Sequence, residues 1–162
     1  MQEIFWVVDK VLGGRPGPNN IPWDARELSE GGVRAILSVN DGEEVDPAEL
    51  WRHGIDYCCI PLSSNSPPKE GDLQHCIRAL DTAYYFAINQ AESGRPVIVH
   101  CHGGKDRTGL FYCYYLCRKL GMTPHQAVSR VKEVRPIALT AEGWDVFAIE
   151  VLEVAFSRHL KS

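Results

Sequence analysis

The chain has 162 residues, 44% apolar and 23% charged, with 17 Lys plus Arg against 21 Asp plus Glu. Those figures describe one ordinary globular domain spanning 1–162, large enough to bury a core without disulfides or metal. They exclude a disordered or fibrous chain, and the net charge of −4 disfavours a dedicated nucleic-acid partner.

No apolar run approaches the roughly 20 residues that span a bilayer, so no integral membrane contact is expected. Met1-Gln2-Glu3-Ile4-Phe5-Trp6 carries neither the basic stretch nor the long apolar core of a secretory leader, and a cytoplasmic location is expected. Six cysteines (Cys58, Cys59, Cys76, Cys101, Cys113 and Cys117) form no CxxC pair and no zinc-ligand spacing. Most read as small buried apolar side chains.

Phe5 to Val8 and Lys10 to Leu12 read as a short hairpin or bent strand, followed by a Gly/Pro loop over 13–18. Trp23 to Ser29 reads as a short helix stopped by Gly31-Gly32. Val33 to Val39 is a strand bounded by glycines and by Asn40-Asp41-Gly42, and Tyr57 to Leu62 is another. A second loop covers Ser63 to Pro68. Gly71 to Glu92 is a long helix with Leu73, Cys76, Ile77, Leu80, Tyr84, Ala87, Ile88 and Ala91 on one stripe. Pro96 to His100 is a buried strand of β-branched residues. Thr108 to Leu120 is a helix apolar nearly all round. Thr123 caps a helix over 124–134 with proline at its first position, and Thr140 caps a last one over 141–158. Tyr84, Tyr85 and Phe86 should pack against Phe111, Tyr112, Tyr114 and Tyr115 between two helices. Strands interleave with helices first, and three helices close the chain. The fold class is therefore α/β, a central mixed sheet of about four to five strands flanked by helices.

The stretch from Pro96 to Gly109 sets a buried strand, a tight glycine-bearing loop and the start of an apolar helix in succession. Unpaired N–H groups and the positive end of the dipole make such a helix start an anion site. Cys101 opens the loop and Arg107 closes it, as C-x5-R. Of the six cysteines only Cys101 has an arginine six positions later. If the loop curls, the N–H groups along His102, Gly103, Gly104, Lys105, Asp106 and Arg107 converge on a phosphate-sized point. Arg107 can then hold a tetrahedral oxyanion with two parallel bonds. Cys101 lies beneath it, its thiolate favoured by the dipole and the cation. A Walker A loop is excluded, because Gly104-Lys105 is followed by Asp106. Adjacent His100, Cys101 and His102 make a poor metal set, since one short segment rarely supplies three ligands, and no metal is expected there.

Together these residues satisfy H-C-x-x-G-x-x-R-[ST], which resembles the cysteine-dependent protein tyrosine phosphatase superfamily, especially its small dual-specificity branch. Val11-Leu12-Gly13-Gly14, the strand Gly32-Val33-Arg34-Ala35-Ile36-Leu37, Tyr57-Cys58-Cys59-Ile60-Pro61 and Arg135-Pro136 carry the likeness across residues 5–155. The resemblance implies hydrolysis of phosphoric monoesters through a phosphocysteine. Cys101 would be the nucleophile and Arg107 the phosphoryl clamp. Thr108 would hydrogen-bond the sulfur, and His100 would hold the loop from behind, with neither metal nor other cofactor required.

One part of that pattern is missing. The family's general-acid aspartate falls near Ser64 here, and no carboxylate lies between Pro61 and Pro68. Asp106 is one replacement, an arrangement resembling myotubularin-type lipid phosphatases. Asp72, beside Glu70 at a helix start, is the other, unless it only offsets the dipole. Thr140 or Glu142 stands near the place of the family's water-positioning glutamine. His102 and Lys105 give the loop a basic character that resembles phosphoinositide phosphatases. The implied partner is a phosphorylated protein (phosphotyrosine or phosphoserine/threonine) or a phosphoinositide or inositol phosphate, met by a monomer. Two alternatives stay open. An RNA 5′-triphosphatase shares the loop, against the acidic charge balance. A phosphate-binding pseudophosphatase suits the missing aspartate but not the intact Cys101 and Arg107.

Overall fold

The computed structural model describes residues 3–160, so Met1 and Gln2 of the N-terminal stretch lie outside the described residues. Five strands, β1 (Phe5–Val8), β2 (Leu12–Pro16), β3 (Ala35–Ser38), β4 (Asp56–Cys59) and β5 (Val97–Cys101), form one mixed sheet in the order β1-β2-β5-β3-β4. Only β1 runs antiparallel to its neighbour. The helices are α1 (Ala25–Glu30), α2 (Pro47–Arg52), α3 (Asp72–Glu92), α4 (Arg107–Leu120), α5 (Pro124–Val134) and α6 (Trp144–Leu160), with a 3-10 turn over Gly42–Glu44.

Strand alternation assigns the two faces. Val97, Val99 and Cys101 of β5, with Ala35 and Leu37 of β3, enter the larger core formed with α3, α4, α5 and α6. Ile98 and Ile36 point the other way, into a smaller core with Ala25, Leu28 and Leu50 of α1 and α2. The same period-2 rule turns His100 and Ser38 toward the α1/α2 side. The nucleophile candidate and the histidine before it therefore sit on opposite faces of one strand. The aromatic packing between α3 and α4 forms through Tyr84, 6.0 Å from Tyr114 and 5.7 Å from Tyr115, whereas Tyr112 turns to Phe5 of β1 at 6.1 Å. No helix among the described residues is long and apolar enough to cross a membrane.

The sheet differs from the sequence reading at its first edge. Lys10 lies in the turn with φ 57°, and Leu12–Pro16 is strand where a Gly/Pro loop was expected. Gly13 and Gly14 are strand residues for want of space. A Cβ on Gly13 would stand 2.8 Å from the Trp6 ring, and one on Gly14 would run into the Tyr112 hydroxyl. β4 ends at Cys59, so 60–62 belong to the loop that follows. Helix α2, capped by Asp46 with Pro47 in its first turn, escapes the sequence reading: it is 6 residues long and buries Leu50 alone, so it carries no apolar stripe. Thr123 caps α5 through a full capping box, as expected. Thr140 does not cap α6: its hydroxyl donates to Ile137 O at 2.6 Å, and the helix starts at Trp144.

Candidate active site

Cys101 ends β5, and Arg107 begins α4, so residues 102–106 form the loop that the sequence pattern anticipates. Its shape is set from outside. The His102 carbonyl accepts from Gly17 N–H at 3.1 Å and from the Asn20 amide at 3.2 Å. Arg135 donates Nη2–H to Gly103 O at 2.8 Å and Nε–H to Gly104 O at 3.3 Å. The Lys105 carbonyl takes Leu139 N–H at 3.3 Å and Gly109 N–H at 3.2 Å. Four successive carbonyls are thus held outward. In a trans peptide the following N–H points the opposite way, so those of Gly103, Gly104, Lys105 and Asp106 line the inner wall. That is an anion nest above Cys101. Gly104 permits it, with φ +67° and a would-be Cβ only 2.7 Å from the Arg15 carbonyl carbon.

Cys101 is 3% exposed, and the fully buried Thr108 donates its hydroxyl to the sulfur at 3.2 Å. Beneath it, His100 Nδ1 lies 3.1 Å from Cys101 O and its Nε2 lies 2.5 Å from Ser38 Oγ. A carbonyl can only accept, so Nδ1 carries the proton and Nε2 accepts from Ser38. Ser38 in turn pairs with the Tyr57 hydroxyl at 2.6 Å. Burial drives the His100 value down to about 4 and the Tyr57 value up to about 12, so both remain neutral and the chain of bonds keeps one direction. Trp23 closes the far side of the His100 ring, edge to face at 5.2 Å.

Arg107 is positioned by the loop after β4. Its Nε–H reaches Ser63 O at 2.8 Å and Nη2–H reaches Asn65 O at 3.4 Å. The Trp144 ring covers its guanidinium at 4.4 Å, and the indole N–H donates to the same Asn65 carbonyl at 2.9 Å. The end-on pair of N–H groups on Nη1 and Nη2 remains for an oxyanion. Of the proposed acids, Asp106 is 4% exposed and its oxygens take Ala141 N–H at 3.1 Å and the Lys105 ammonium at 2.7 Å. Asp72 accepts from Lys69 N–H at 2.6 Å and from the Asn65 amide at 3.0 Å. Burial opposes its ionisation, but those hydrogen bonds outweigh it and hold the carboxyl below its usual range. Both carboxylates are engaged as structural acceptors.

The two basic loop residues are each met by a carboxylate. His102 pairs with Asp41 at 3.2 Å, and Lys105 pairs with Asp106 while also reaching Thr140 Oγ1 at 3.1 Å. Thr140 is therefore occupied, and Glu142 is exposed, its carbonyl accepting from Ser66 Oγ at 3.4 Å. Ser38, Asn65, Trp144 and the outer clamps Gly17 and Asn20 escape sequence reasoning altogether, while Tyr57 is marked there only as part of a strand motif. Arg135 had one signal, its Arg-Pro dipeptide.

Residues 2–143 match a family described as Swiss Army Knife protein, DSP-PTPase phosphatase domain. Among curated proteins, the chain is 28% identical over 137 residues to phosphatidylglycerophosphate phosphatase PTPMT1 of Arabidopsis thaliana, covering 83% of this chain and 38% of that one. It is 31% identical over 119 residues to dual specificity protein phosphatase 12 of Rattus norvegicus, covering 73% and 33%. The tyrosine-protein phosphatase of Autographa californica nuclear polyhedrosis virus is 30% identical over 135 residues, covering 83% and 68%. The chain thus spans only 38% of the plant relative and 33% of the rat one. Among solved structures, Tk-PTP in the active form superposes with a TM-score of 0.76 at 20% identity, over 97% of this chain and 98% of that one. PTPMT1 in complex with PI(5)P gives 0.76 at 16%, over 98% and 99%. These two likenesses speak for the fold.

Proposed function

The chain belongs to the DSP-PTPase phosphatase domain family, a group of cysteine-dependent phosphatases, and from that premise we propose that it hydrolyses single phosphoric monoesters on protein side chains. The observation that carries this reading is the outward clamping of the four loop carbonyls, which leaves an inward nest above Cys101. A phosphoryl group seated there receives inner N–H groups on its equatorial oxygens and the free fork of Arg107. The Cys101 thiolate attacks phosphorus from below, and the S–P bond forms as the P–O bond breaks. Thr108 donates to the sulfur when water later displaces it. His100, fixed as the neutral Nδ1–H tautomer, keeps the Cys101 peptide in place.

Charge pairing favours a single phosphate. A site for a polyphosphorylated inositol needs uncompensated cations, and both His102 and Lys105 have carboxylates beside them. A phospholipid monoester is the second reading, supported by the 28% identity to a phosphatidylglycerophosphate phosphatase. The discriminating assay sets phosphotyrosyl and phosphoseryl peptides against phosphatidylglycerophosphate, a phosphoinositide and an RNA 5′-triphosphate, with wild type and Cys101→Ser in parallel. Turnover of peptides by wild type alone, with vanadate binding kept in Cys101→Ser, is the expected result. Turnover confined to the lipids would replace the protein reading. Activity surviving in Cys101→Ser would end the covalent mechanism.

A further inference from the structure

The loop that follows β4 has no carboxylate at the usual place, and Asp72 and Asp106 are committed to structural bonds. A leaving oxygen still needs a proton. In-line displacement puts that oxygen opposite the attacking sulfur, on the solvent side of the nest. The strand order β5-β3-β4 brings three strand ends to this mouth: His102 after β5, Asp41 after β3 and Ser63–Asn65 after β4. His102 adjoins the nucleophile, and its side chain is 62% exposed, while that of Asp41 is 14% exposed. Asp41 Oδ2 stands 3.2 Å from His102 Nδ1. Asp41 itself is held at φ 61°, a left-handed conformation rare outside glycine. Asp41 meets the ring at Nδ1, while the Gly17 and Asn20 bonds fix the backbone carbonyl of the same residue.

We propose that His102, oriented by Asp41, is the general acid of this phosphatase. This rests on the phosphomonoesterase reading above. With Nδ1–H given to Asp41, the imidazolium presents its Nε2–H at the mouth. In the first step the S–P bond forms, the P–O bond breaks, and the leaving oxygen takes the Nε2 proton. His102 is then neutral. In the second step water attacks phosphorus, the S–P electron pair returns to Cys101, and His102 Nε2 takes the proton released by the water. Inorganic phosphate leaves and the starting state is restored. The charged groups on the elements that meet His102 are Asp41, Glu43 and Glu44 after β3, Lys105 and Asp106 on its own loop, and Arg107 at the start of α4. The segment after β2 contributes the uncharged Gly17 and Asn20.

Leaving-group dependence tests the assignment. His102→Gln keeps a polar side chain but cannot carry the proton. Its rate on phosphotyrosine or phenyl phosphate should fall by ~10²–10⁴-fold, while its rate on an activated aryl dinitrophenyl phosphate stays within a few-fold of wild type. In Asp41→Asn the rate on the poor leaving group should fall too, by less than in His102→Gln, while the activated ester is again spared. Vanadate affinity should be unchanged in both, because the inner N–H groups and the Arg107 fork that hold the oxyanion are untouched. Equal losses on good and poor leaving groups, or no loss on either, overturn the assignment. Absence of wild-type activity even on the activated ester would instead strike the phosphatase reading, which separates the two failures.

Discussion

Arg135 offers the sharpest test of a loop shaped from outside. Arg135→Ala leaves Cys101, Arg107 and every inner N–H in the chain but releases the Gly103 and Gly104 carbonyls. A hydrogen bond from a charged donor contributes roughly 1.5–3 kcal/mol. The 2.8 Å bond to Gly103 takes that full range, and the 3.3 Å bond to Gly104 adds less. A total of about 2–4 kcal/mol corresponds to a roughly 30- to 1,000-fold loss in oxyanion affinity, since the freed peptides must be reordered on binding. The stack of Arg135 on Phe5 at 4.7 Å adds a stability cost that a thermal melt registers separately. Vanadate titration, followed calorimetrically below the melting transition, gives the affinity directly. Arg135→Lys keeps the charge without the fork and should recover only part of it. A melt that shifts while vanadate affinity stays within twofold of wild type would refute the clamp.

Gly104→Ala should abolish turnover, since its Cβ would meet the Arg15 carbonyl carbon at 2.7 Å in a left-handed conformation, and vanadate binding should go with it. Asp106→Asn should cost about tenfold on every substrate and on vanadate alike, through loss of the Lys105 pair, whatever the leaving group; a selective loss on poor leaving groups would make it the acid after all. His100 makes stability pH-dependent. Its folded-state value, about 4, lies below the ordinary 6.5, so between those pH values the unfolded chain binds a proton that the folded one refuses. Stability therefore falls as pH drops through that window, by on the order of 3 kcal/mol from this group. Urea denaturation at pH 7 and pH 4 should show a smaller difference in His100→Asn than in wild type.

The sheet and its helices were legible because period and punctuation agree in this chain. Val97–Val99 is β-branched, α3 carries an unbroken stripe, and Thr123 with Pro124 marks a helix start. The nest was legible for a different reason: its residues are contiguous, so Cys101 to Thr108 can be read in one glance. Its supports are not. Gly17 and Asn20 reach His102 across more than 80 positions, and Trp144 reaches Asn65 across 79. No local pattern marks an ordinary tryptophan as the cover of a particular arginine. Gly13-Gly14 misled for a related reason. Paired glycines suggest a turn locally, and only the distant Tyr112 shows that they are there to leave room. Asp106 likewise reads as a free carboxylate beside an arginine until Ala141 is placed against it.

The clamps on the Cys101 loop also fix when, in the life of the chain, it can become reactive. Gly17 and Asn20 precede the cysteine, but Arg135, Leu139, Ala141 and Trp144 all follow it. Synthesis proceeds from the N-terminus. A nascent chain that has just produced the whole H-C-x-x-G-x-x-R-T motif still lacks the arginine that turns two of its carbonyls outward and the ring that covers Arg107. Cys101 is therefore without its full set of clamps until the chain through α6, which ends at Leu160, has been made and α5 and α6 have packed. Hydrolysis switching on along a series of C-terminal truncations would report the completion of the fold as a whole.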